Sequence, residues 1–108
     1  MVTTTPARML NLPHGGRIEV GEPADLLVVP PLGEDAATAL LATTRRDVML
    51  VTIGGDPIVG APPLSAAFAA RRTPVGRAVV DGTERLVSGR LARAIARCPI
   101  EEPGVTCE

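Results

Sequence analysis

The residue types that most often carry catalysis are scarce in this sequence of 108 residues. His14 is the only histidine, and the two cysteines, Cys98 and Cys107, have no histidine near them. A catalytic zinc ion usually takes three protein ligands, so a single histidine cannot build the common set of three nitrogens. The sequence therefore predicts no metal site on this chain, and the flanking Pro13 and glycines favour a solvent-facing loop position for His14 over a ligand role.

The two cysteines are expected to be free thiols. A disulfide between Cys98 and Cys107 would close a short loop near the end of the chain and stabilise little of the domain. Free thiols are typical of a reducing compartment, and the first ten residues lack the basic and apolar regions of a signal peptide. No apolar run approaches the roughly 20 residues of a membrane span. We therefore expect a cytoplasmic chain with no membrane partner.

Five aspartates stand where turns or helices should begin or end, and we expect them to accept hydrogen bonds from backbone N–H groups. They are Asp25, Asp35, Asp47, Asp56 and Asp81. Acid–base chemistry is the alternative role for these carboxylates. Ser65 and Ser88 have no histidine close in sequence, so the pattern of a nucleophilic triad with His14 is weak.

Two glycine pairs and one arginine pair are the remaining candidates for binding. Gly15-Gly16 and Gly54-Gly55 stand outside the patterns G-x-G-x-x-G and G-x-x-x-x-G-K-[ST], and the chain has no lysine to complete a phosphate loop. We predict that both pairs are turn glycines. Arg71-Arg72 could bind an anion, although cations at a helix end also suit the helix dipole. The sequence thus assigns no catalytic, cofactor-binding or metal-binding residue.

Charge and aromatic content argue against a nucleic-acid partner. The formal net charge is -1, from 11 basic and 12 acidic residues, so the chain has no overall basic field to attract phosphates. Phe68 is the only aromatic residue, and single-stranded nucleic acids are usually bound by stacking on aromatic side chains. Hydrophobic residues make up 45% and charged residues 21%, a composition typical of a folded domain.

Four stretches carry helix signals, namely residues 3–12, 35–46, 64–71 and 91–98. The first has threonines and Pro6 at its start, as helix N-termini often do, and Asn11 to Pro13 at its end. Asp35 is placed to cap the second, whose apolar residues recur at the spacing of one buried stripe. That stripe is Ala37, Leu40, Leu41 and Thr44.

Six short strands are predicted, at residues 17–20, 26–29, 48–53, 58–60, 77–80 and 84–87. Residues 17–20 alternate polar and apolar side chains as in a half-buried strand. The unbroken apolar run 26–29 indicates burial on both faces. Gly54-Gly55-Asp56-Pro57 and Asp81-Gly82 are turn signals that join the last four strands into two hairpins.

These elements predict a mixed, β-rich fold, a small β-sandwich or pseudo-barrel of about six short strands with three or four short helices. We expect one domain over residues 1–98, with an N-terminal helix, followed by a polar C-terminal tail at 99–108. The predicted core residues are Leu27, Val29, Leu50, Val51 and Ile53.

Three stretches of the chain share their spacing with one enzyme superfamily. Residues 5–12 resemble the N-P-A-R-x-L-x-L part of the pattern T-x-N-P-A-R-x-L-x-L, with Thr5 where asparagine is usual. Residues 16–29 begin with G-x-I-x-x-G-x-x-A-D-L, and residues 47–60 resemble D-V-x-x-V-x-V-G-G-x-P-V, with Ile53 and Ile58 where the pattern has valine. In this order the chain resembles the carboxyl-terminal end of the amidohydrolase superfamily, from the last barrel helix into a composite β-sandwich.

The resemblance implies the non-catalytic part of a metal-dependent hydrolase that acts on carbon–nitrogen bonds. In that family an H-x-H pair, further histidines and an aspartate bind the metal in the barrel, and those positions lie upstream of the part that is matched here. A divalent metal such as zinc would then belong to the barrel and not to this chain. The tail of the match is similar to cytosine-deaminase-like enzymes and related deaminases and amidases.

Two hypotheses of different classes follow. The first is a domain or fragment of an amidohydrolase that is inactive alone and either self-associates through its sheet edges or binds a barrel-bearing polypeptide. The alternative is a stand-alone binding or assembly module that reuses the fold, with Gly54-Gly55 or the Arg71-Arg72 face as its contact surface. A barrel with an H-x-H pair encoded immediately upstream would favour the first.

Overall fold

The computed structural model describes residues 2–108, which form a six-stranded sheet with four α-helices. The strands are β1 (Leu26–Val28), β2 (Leu50–Ile53), β3 (Asp56–Gly60), β4 (Val75–Val80), β5 (Thr83–Ser88) and β6 (Val105–Cys107). The helices are α1 (Thr4–Met9), α2 (Ala36–Ala42), α3 (Ser65–Ala70) and α4 (Gly89–Arg97), with 3₁₀ helices at Arg45–Asp47 and Pro62–Leu64. The predicted mixed, β-rich fold is confirmed. None of the helices in residues 2–108 has the length and apolar character needed to cross a membrane.

The strands lie in the order β1-β2-β3-β5-β4-β6, and every neighbouring pair is antiparallel. Gly54 and Gly55, with φ of 57° and 82°, join β2 to β3, and Asp81 and Gly82, with φ of 48° and 78°, join β4 to β5. Positive φ at both central residues gives a turn whose twist matches that of the flanking strands. Both predicted hairpins are therefore confirmed.

Helix α3 packs against the sheet at a position where only glycine fits. A Cβ atom on Gly60 of β3 would lie 2.7 Å from Cε2 of Phe68, which is a side chain of α3 with 1% of its surface exposed. Leu50 of β2 reaches the same place, with its Cδ1 atom 3.4 Å from that position. The absence of a side chain at Gly60 thus lets the aromatic ring lie directly on the backbone of β3.

Helix α4 packs against the opposite face of the sheet in a similar way. A Cβ atom on Gly76 of β4 would lie 2.8 Å from the Cβ atom of Ala92 in α4. Gly60 pairs with Leu86 of β5, whereas Gly76 pairs with Val87, the next residue along β5. Successive residues of a strand point to opposite faces, so α3 and α4 cover different sides of the same sheet.

The buried core differs from the core that the sequence predicts. The buried apolar residues are Ala39, Phe68, Ala78, Leu86 and Val87. None of the five predicted core residues is buried, and Leu27 and Ile53 are 54% and 60% exposed. Strand β1 lies at the edge of the sheet, so its apolar run does not indicate burial on both faces, and Ile53 stands beside the turn of its hairpin.

The predicted strand at residues 17–20 and the predicted apolar stripe of the second helix are both wrong. Their sequence patterns do not determine which other element packs against them. Residues 17–20 form no strand, and Ile18 is 88% exposed. Helix α2 begins after the predicted cap Asp35, but it buries Ala39 and exposes Ala37 and Leu41. The helix also ends before Thr44, so the predicted apolar stripe does not form.

Part of the expected polar tail belongs to the sheet. Within residues 99–108, strand β6 pairs with β4 and places Val105 opposite Val80 and Cys107 opposite Ala78. Pairing needs only two or three residues with available backbone groups, and the polar composition around Val105 conceals it in the sequence. The domain therefore continues beyond residue 98.

Arg45 joins β6 to the β4–β5 turn. Its Nε and Nη2 atoms each donate to a carboxylate oxygen of Asp81 at 2.7 Å, and Nη1 donates to Glu102 at 2.7 Å. Nη2 also donates to the carbonyl oxygen of Pro103 at 2.6 Å. Hydrogen bonds from this guanidinium hold the pKa of Asp81 below its usual range, so the pair stays charged. Arg45 thus contacts Asp81 of the turn at two points and also binds Glu102 and Pro103, so it links the C-terminal segment to the turn.

Replacing Phe68 by alanine should destabilise the fold by about 3–5 kcal/mol, because it removes the one buried aromatic ring and leaves a cavity over Gly60. Urea unfolding of the purified chain measures this free energy. Leu41→Ala is the control, because Leu41 is exposed on α2 and its loss should change stability by less than about 0.5 kcal/mol. Equal effects of the two substitutions would contradict this account of the core.

Replacing Arg45 by glutamine should loosen β6, which backbone hydrogen bonds to β4 still hold, while the remaining strands stay folded. The substitution removes the two-point contact with Asp81 and the contacts to Glu102 and Pro103. Hydrogen exchange of the amides in β6 should become faster, because local opening no longer breaks these bonds. Arg77→Gln is the control, since it removes an arginine–carboxylate pair from the same sheet, 3.2 Å from Glu84. Similar exchange rates of β6 in both variants would contradict the role assigned to Arg45.

Candidate interaction surface

Three of the five aspartates take the predicted role as acceptors of backbone hydrogen bonds. Asp25, Asp35 and Asp47 accept from the N–H groups of Gly54, Thr38 and Thr44, at 2.6, 2.7 and 2.9 Å. The N–H group of Thr38 lowers the pKa of Asp35 because it stabilises the charged form. These carboxylates therefore hold turns and helix starts.

The other two aspartates bind arginines that are distant in sequence. Asp56 accepts from Nε of Arg71 at 2.9 Å, and Asp81 accepts from Arg45 as described above. The predicted role as backbone acceptors is wrong for these two residues. Arg71 is therefore already engaged by a carboxylate of its own chain, which weakens the case for the Arg71-Arg72 face as an anion site.

His14 and the two serines are not brought together. His14 lies 3.7 Å from Glu22, between its Nδ1 atom and Oε2, and is largely exposed, as its loop position predicts. Ser65 is exposed at the start of α3, whereas Ser88 is buried and accepts a hydrogen bond from the N–H group of Leu91 at the start of α4. Each serine thus occupies a helix start, and no histidine contacts either of them.

The thiols and the acidic residues also form no shared site. Cys98 is exposed and Cys107 half-buried, and both are free. Within residues 2–108, no three side chains of histidine, cysteine, aspartate or glutamate are grouped so that they could hold one metal ion.

Three of the four glycines in the two pairs use their N–H groups inside the fold. Gly54 donates to Asp25 at 2.6 Å, and Gly55 donates to the carbonyl oxygen of Ala24 at 3.0 Å. Gly15 donates to Glu22 at 2.8 Å. These donors are therefore not available to cradle an anion, and the glycines serve turns as predicted.

The feature that stands out is a segment of exposed apolar side chains, residues 2–20, which we name the amino-terminal surface. No residue of α1 is buried, and six large apolar side chains of the segment are more than half exposed. They are Val2, Met9, Leu10, Leu12, Ile18 and Val20. Contiguous exposed apolar surface is typical of sites of protein interaction, so this segment is the candidate interaction surface.

Local backbone contacts hold the amino-terminal surface in one defined conformation. Asn11 ends α1 in the left-handed region at φ 53°, and the N–H group of Leu12 then donates back to the carbonyl oxygen of Ala7 at 2.9 Å. A Cβ atom on Gly16 would lie 2.7 Å from the carbonyl oxygen of Thr3, so the loop returns to the start of the helix only because this residue is glycine. The helix and loop border an open cleft of about 320 Å³.

Glu22 organises the loop that follows α1. Its carboxylate accepts from the N–H group of Gly15 at 2.8 Å and from Nη2 of Arg17 at 3.3 Å, and His14 lies 3.7 Å away. The Gly15 hydrogen bond and the nearby positive charge of Arg17 lower the pKa of Glu22. Sequence reasoning missed Glu22, and the available signal was an acidic residue a few positions after His14 and Arg17.

Protein-family models, curated proteins and solved structures were compared with the chain, and none of them matches it.

Replacing Glu22 by glutamine should destabilise the fold at neutral pH but not in acid. The folded pKa of Glu22 lies below its unfolded value, so its contribution is present above about pH 4 and is lost as the pH falls through the folded pKa. Urea unfolding of both proteins at a series of pH values measures the difference.

Glu19→Gln is the matched control, because Glu19 lies in the same loop, is exposed and forms no ion pair within the described residues. This variant should unfold like the parent chain at every pH. A constant difference between parent and Glu22→Gln down to strongly acidic pH would show that Glu22 acts through packing and not through its charge.

Proposed function

We propose that this chain is the non-catalytic composite domain, or a fragment, of an amidohydrolase-superfamily enzyme that hydrolyses carbon–nitrogen bonds. In this proposal the metal-bearing barrel lies outside these 108 residues, and the amino-terminal surface docks against it. The observation that carries the proposal is the exposure of the apolar side chains on α1 and its loop. Residues 5–12, which resemble the last barrel helix, contribute three of the surface's six exposed apolar side chains, Met9, Leu10 and Leu12.

Contacts between the matched motifs support the proposal. The A-D pair of the second motif is Ala24-Asp25, and the G-G pair of the third is Gly54-Gly55. Gly54 donates to Asp25, Gly55 donates to Ala24, and Thr52 Oγ1 donates to the carbonyl oxygen of Ala24 at 2.7 Å. Residues of two separate matched motifs thus form one hydrogen-bonded unit, which supports the proposal.

The edge of the sheet offers a second place for association. Within residues 2–108 no strand pairs with the outer side of β1, and Leu27 is 54% exposed there. An apolar edge strand without charged side chains is a template for another strand. Self-association through β1 is therefore part of the proposal, alongside docking of the amino-terminal surface on a barrel.

The proposal assigns no catalytic step to this chain. A barrel of this superfamily carries an H-x-H pair, and His14 as the only histidine cannot provide it. The zinc or other divalent ion would be held by barrel residues, and this chain would contribute docking surface and stability.

The purified chain should not hydrolyse amides, cyclic ureides or aminopyrimidines, even with added Zn²⁺. It should either self-associate or bind the barrel polypeptide that this proposal requires. Product formation on such a substrate panel tests activity, and size-exclusion chromatography with light scattering tests association. Metal-dependent turnover by this chain alone would overturn the non-catalytic assignment.

Matched variants locate the association. Leu10→Ser with Ile18→Ser removes two exposed apolar side chains from the amino-terminal surface and should weaken barrel binding. Leu41→Ser with Ile100→Ser removes two exposed apolar side chains elsewhere and should leave binding unchanged. All four side chains are at least 69% exposed, so neither double variant should disturb the core. Equal binding by both variants, or a strictly monomeric chain that binds no barrel, would contradict the proposal.

A further inference from the structure

Helix α4 presents a stripe of arginines to solvent. Arg90, Arg93 and Arg97 are exposed, and none of them forms an ion pair within the described residues 2–108. At about 100° per residue, the three side chains fall within an arc of about 60° around the helix. The half-buried residues Leu91 and Ile95 lie on the other side, toward the sheet. We name this set of three residues the α4 arginine stripe.

The stripe is not explained by local electrostatics. Cations stabilise the C-terminal turn of a helix, which accounts for Arg97, but they are unfavourable near the N-terminus, where Arg90 lies.

Several arginines elsewhere are paired: Arg17, Arg71 and Arg77 have carboxylate oxygens at 3.3, 2.8 and 3.2 Å. The exposed arginines outside α4 that form no ion pair in the described residues, Arg8 and Arg72, stand singly, on α1 and just after α3. The chain has a net charge of -1, yet α4 carries three positive charges on one side. No carboxylate in the described residues forms an ion pair with them.

An apolar groove lies beside the stripe. It lies between the β2–β3 hairpin and α4 and has a volume of about 470 Å³. Four apolar side chains line it, namely Ile53, Ile58, Leu91 and Ala94, and Arg90 also lines it. Ile53 is 60% exposed in this position. The one carboxylate of the lining, Asp56, is already paired with Arg71.

We propose that this groove and the α4 arginine stripe bind an acidic, amphipathic peptide segment of a partner protein. Apolar side chains of the peptide would enter the groove, and its aspartates or glutamates would pair with the arginines, whose planar groups bind carboxylates at two points. The inference is independent of the proposed amidohydrolase role, because it involves a different surface.

Two other classes of anionic partner fit the observations less well. Nucleic acid is disfavoured because Phe68, the only aromatic side chain, is buried and cannot stack on bases. A membrane surface is disfavoured because the apolar side chains line a concave groove, whereas insertion into a bilayer needs apolar side chains that project outward.

Selection from a random peptide library on the immobilised chain tests the proposal. The parent chain should enrich peptides that combine aspartate or glutamate with large apolar residues. Arg90→Gln with Arg97→Gln should lose this enrichment. Arg8→Gln with Arg72→Gln should keep it, because that pair removes the same charge from exposed arginines that lie outside α4 and form no ion pair in the described chain.

Fluorescence anisotropy with one enriched, labelled peptide then separates charge from apolar contact. Loss of Arg90 and Arg97 should weaken binding about three- to tenfold at low salt, and added salt should weaken binding to the parent chain. Ile53→Ser should also weaken binding, whereas Leu41→Ser, an equally apolar change on α2, should not. Both side chains are exposed, so neither change should unfold the chain.

Several results would overturn the proposal. These are the absence of acidic enrichment, an equal loss in the two arginine double variants, and equal binding by the Ile53 and Leu41 variants. Displacement of the peptide by oligothymidylate would indicate a nucleic-acid surface instead. Displacement by vesicles of phosphatidylserine and phosphatidylcholine would indicate a membrane surface instead.

Discussion

The contact between the ring of Phe68 and the backbone of Gly60 is the constraint on which the rest of the structure depends. The ring of Phe68, the only aromatic residue, fills the space between α3 and β3, together with the side chain of Leu50. The close approach of α4 at Gly76 repeats the arrangement on the other face. The buried apolar core is small, with Ala39, Ala78, Leu86 and Val87 beside Phe68, and apolar side chains on β1 and in the amino-terminal surface remain exposed.

Turn chemistry is the part of this fold that the sequence predicts well. The two hairpin turns need positive φ at both central residues, and glycine and aspartate accept this conformation. Gly54-Gly55 and Asp81-Gly82 accordingly form the predicted hairpins. The strand predicted from alternation at residues 17–20 and the burial predicted for the apolar run of β1 are both wrong. Burial depends on which strand or helix lies alongside, and the local sequence does not specify that neighbour. Strand β6 could not be predicted for the same reason, since its position depends on Arg45 pairing with Asp81 and Glu102 far away in sequence.

The candidate surfaces were predictable to different degrees. Motif spacing drew attention to residues 5–12 and 16–29, which include most of the amino-terminal surface, but exposure of its apolar side chains appears only in the fold. The α4 arginine stripe has a readable spacing of i, i+3 and i+7. Sequence alone cannot say which arginines are neutralised, because the carboxylates that pair with Arg71 and Arg45 lie many residues away.

The two proposed surfaces differ in chemistry but share one structural element. The amino-terminal segment leads into Ala24-Asp25, which hydrogen-bond to Gly54 and Gly55 in the β2–β3 turn. Ile53 and Asp56 flank those glycines and line the groove beside α4. The same hydrogen bonds that join the two motifs therefore also fix one wall of the groove. An apolar partner at one surface and an acidic partner at the other would thus both depend on the geometry of this single turn.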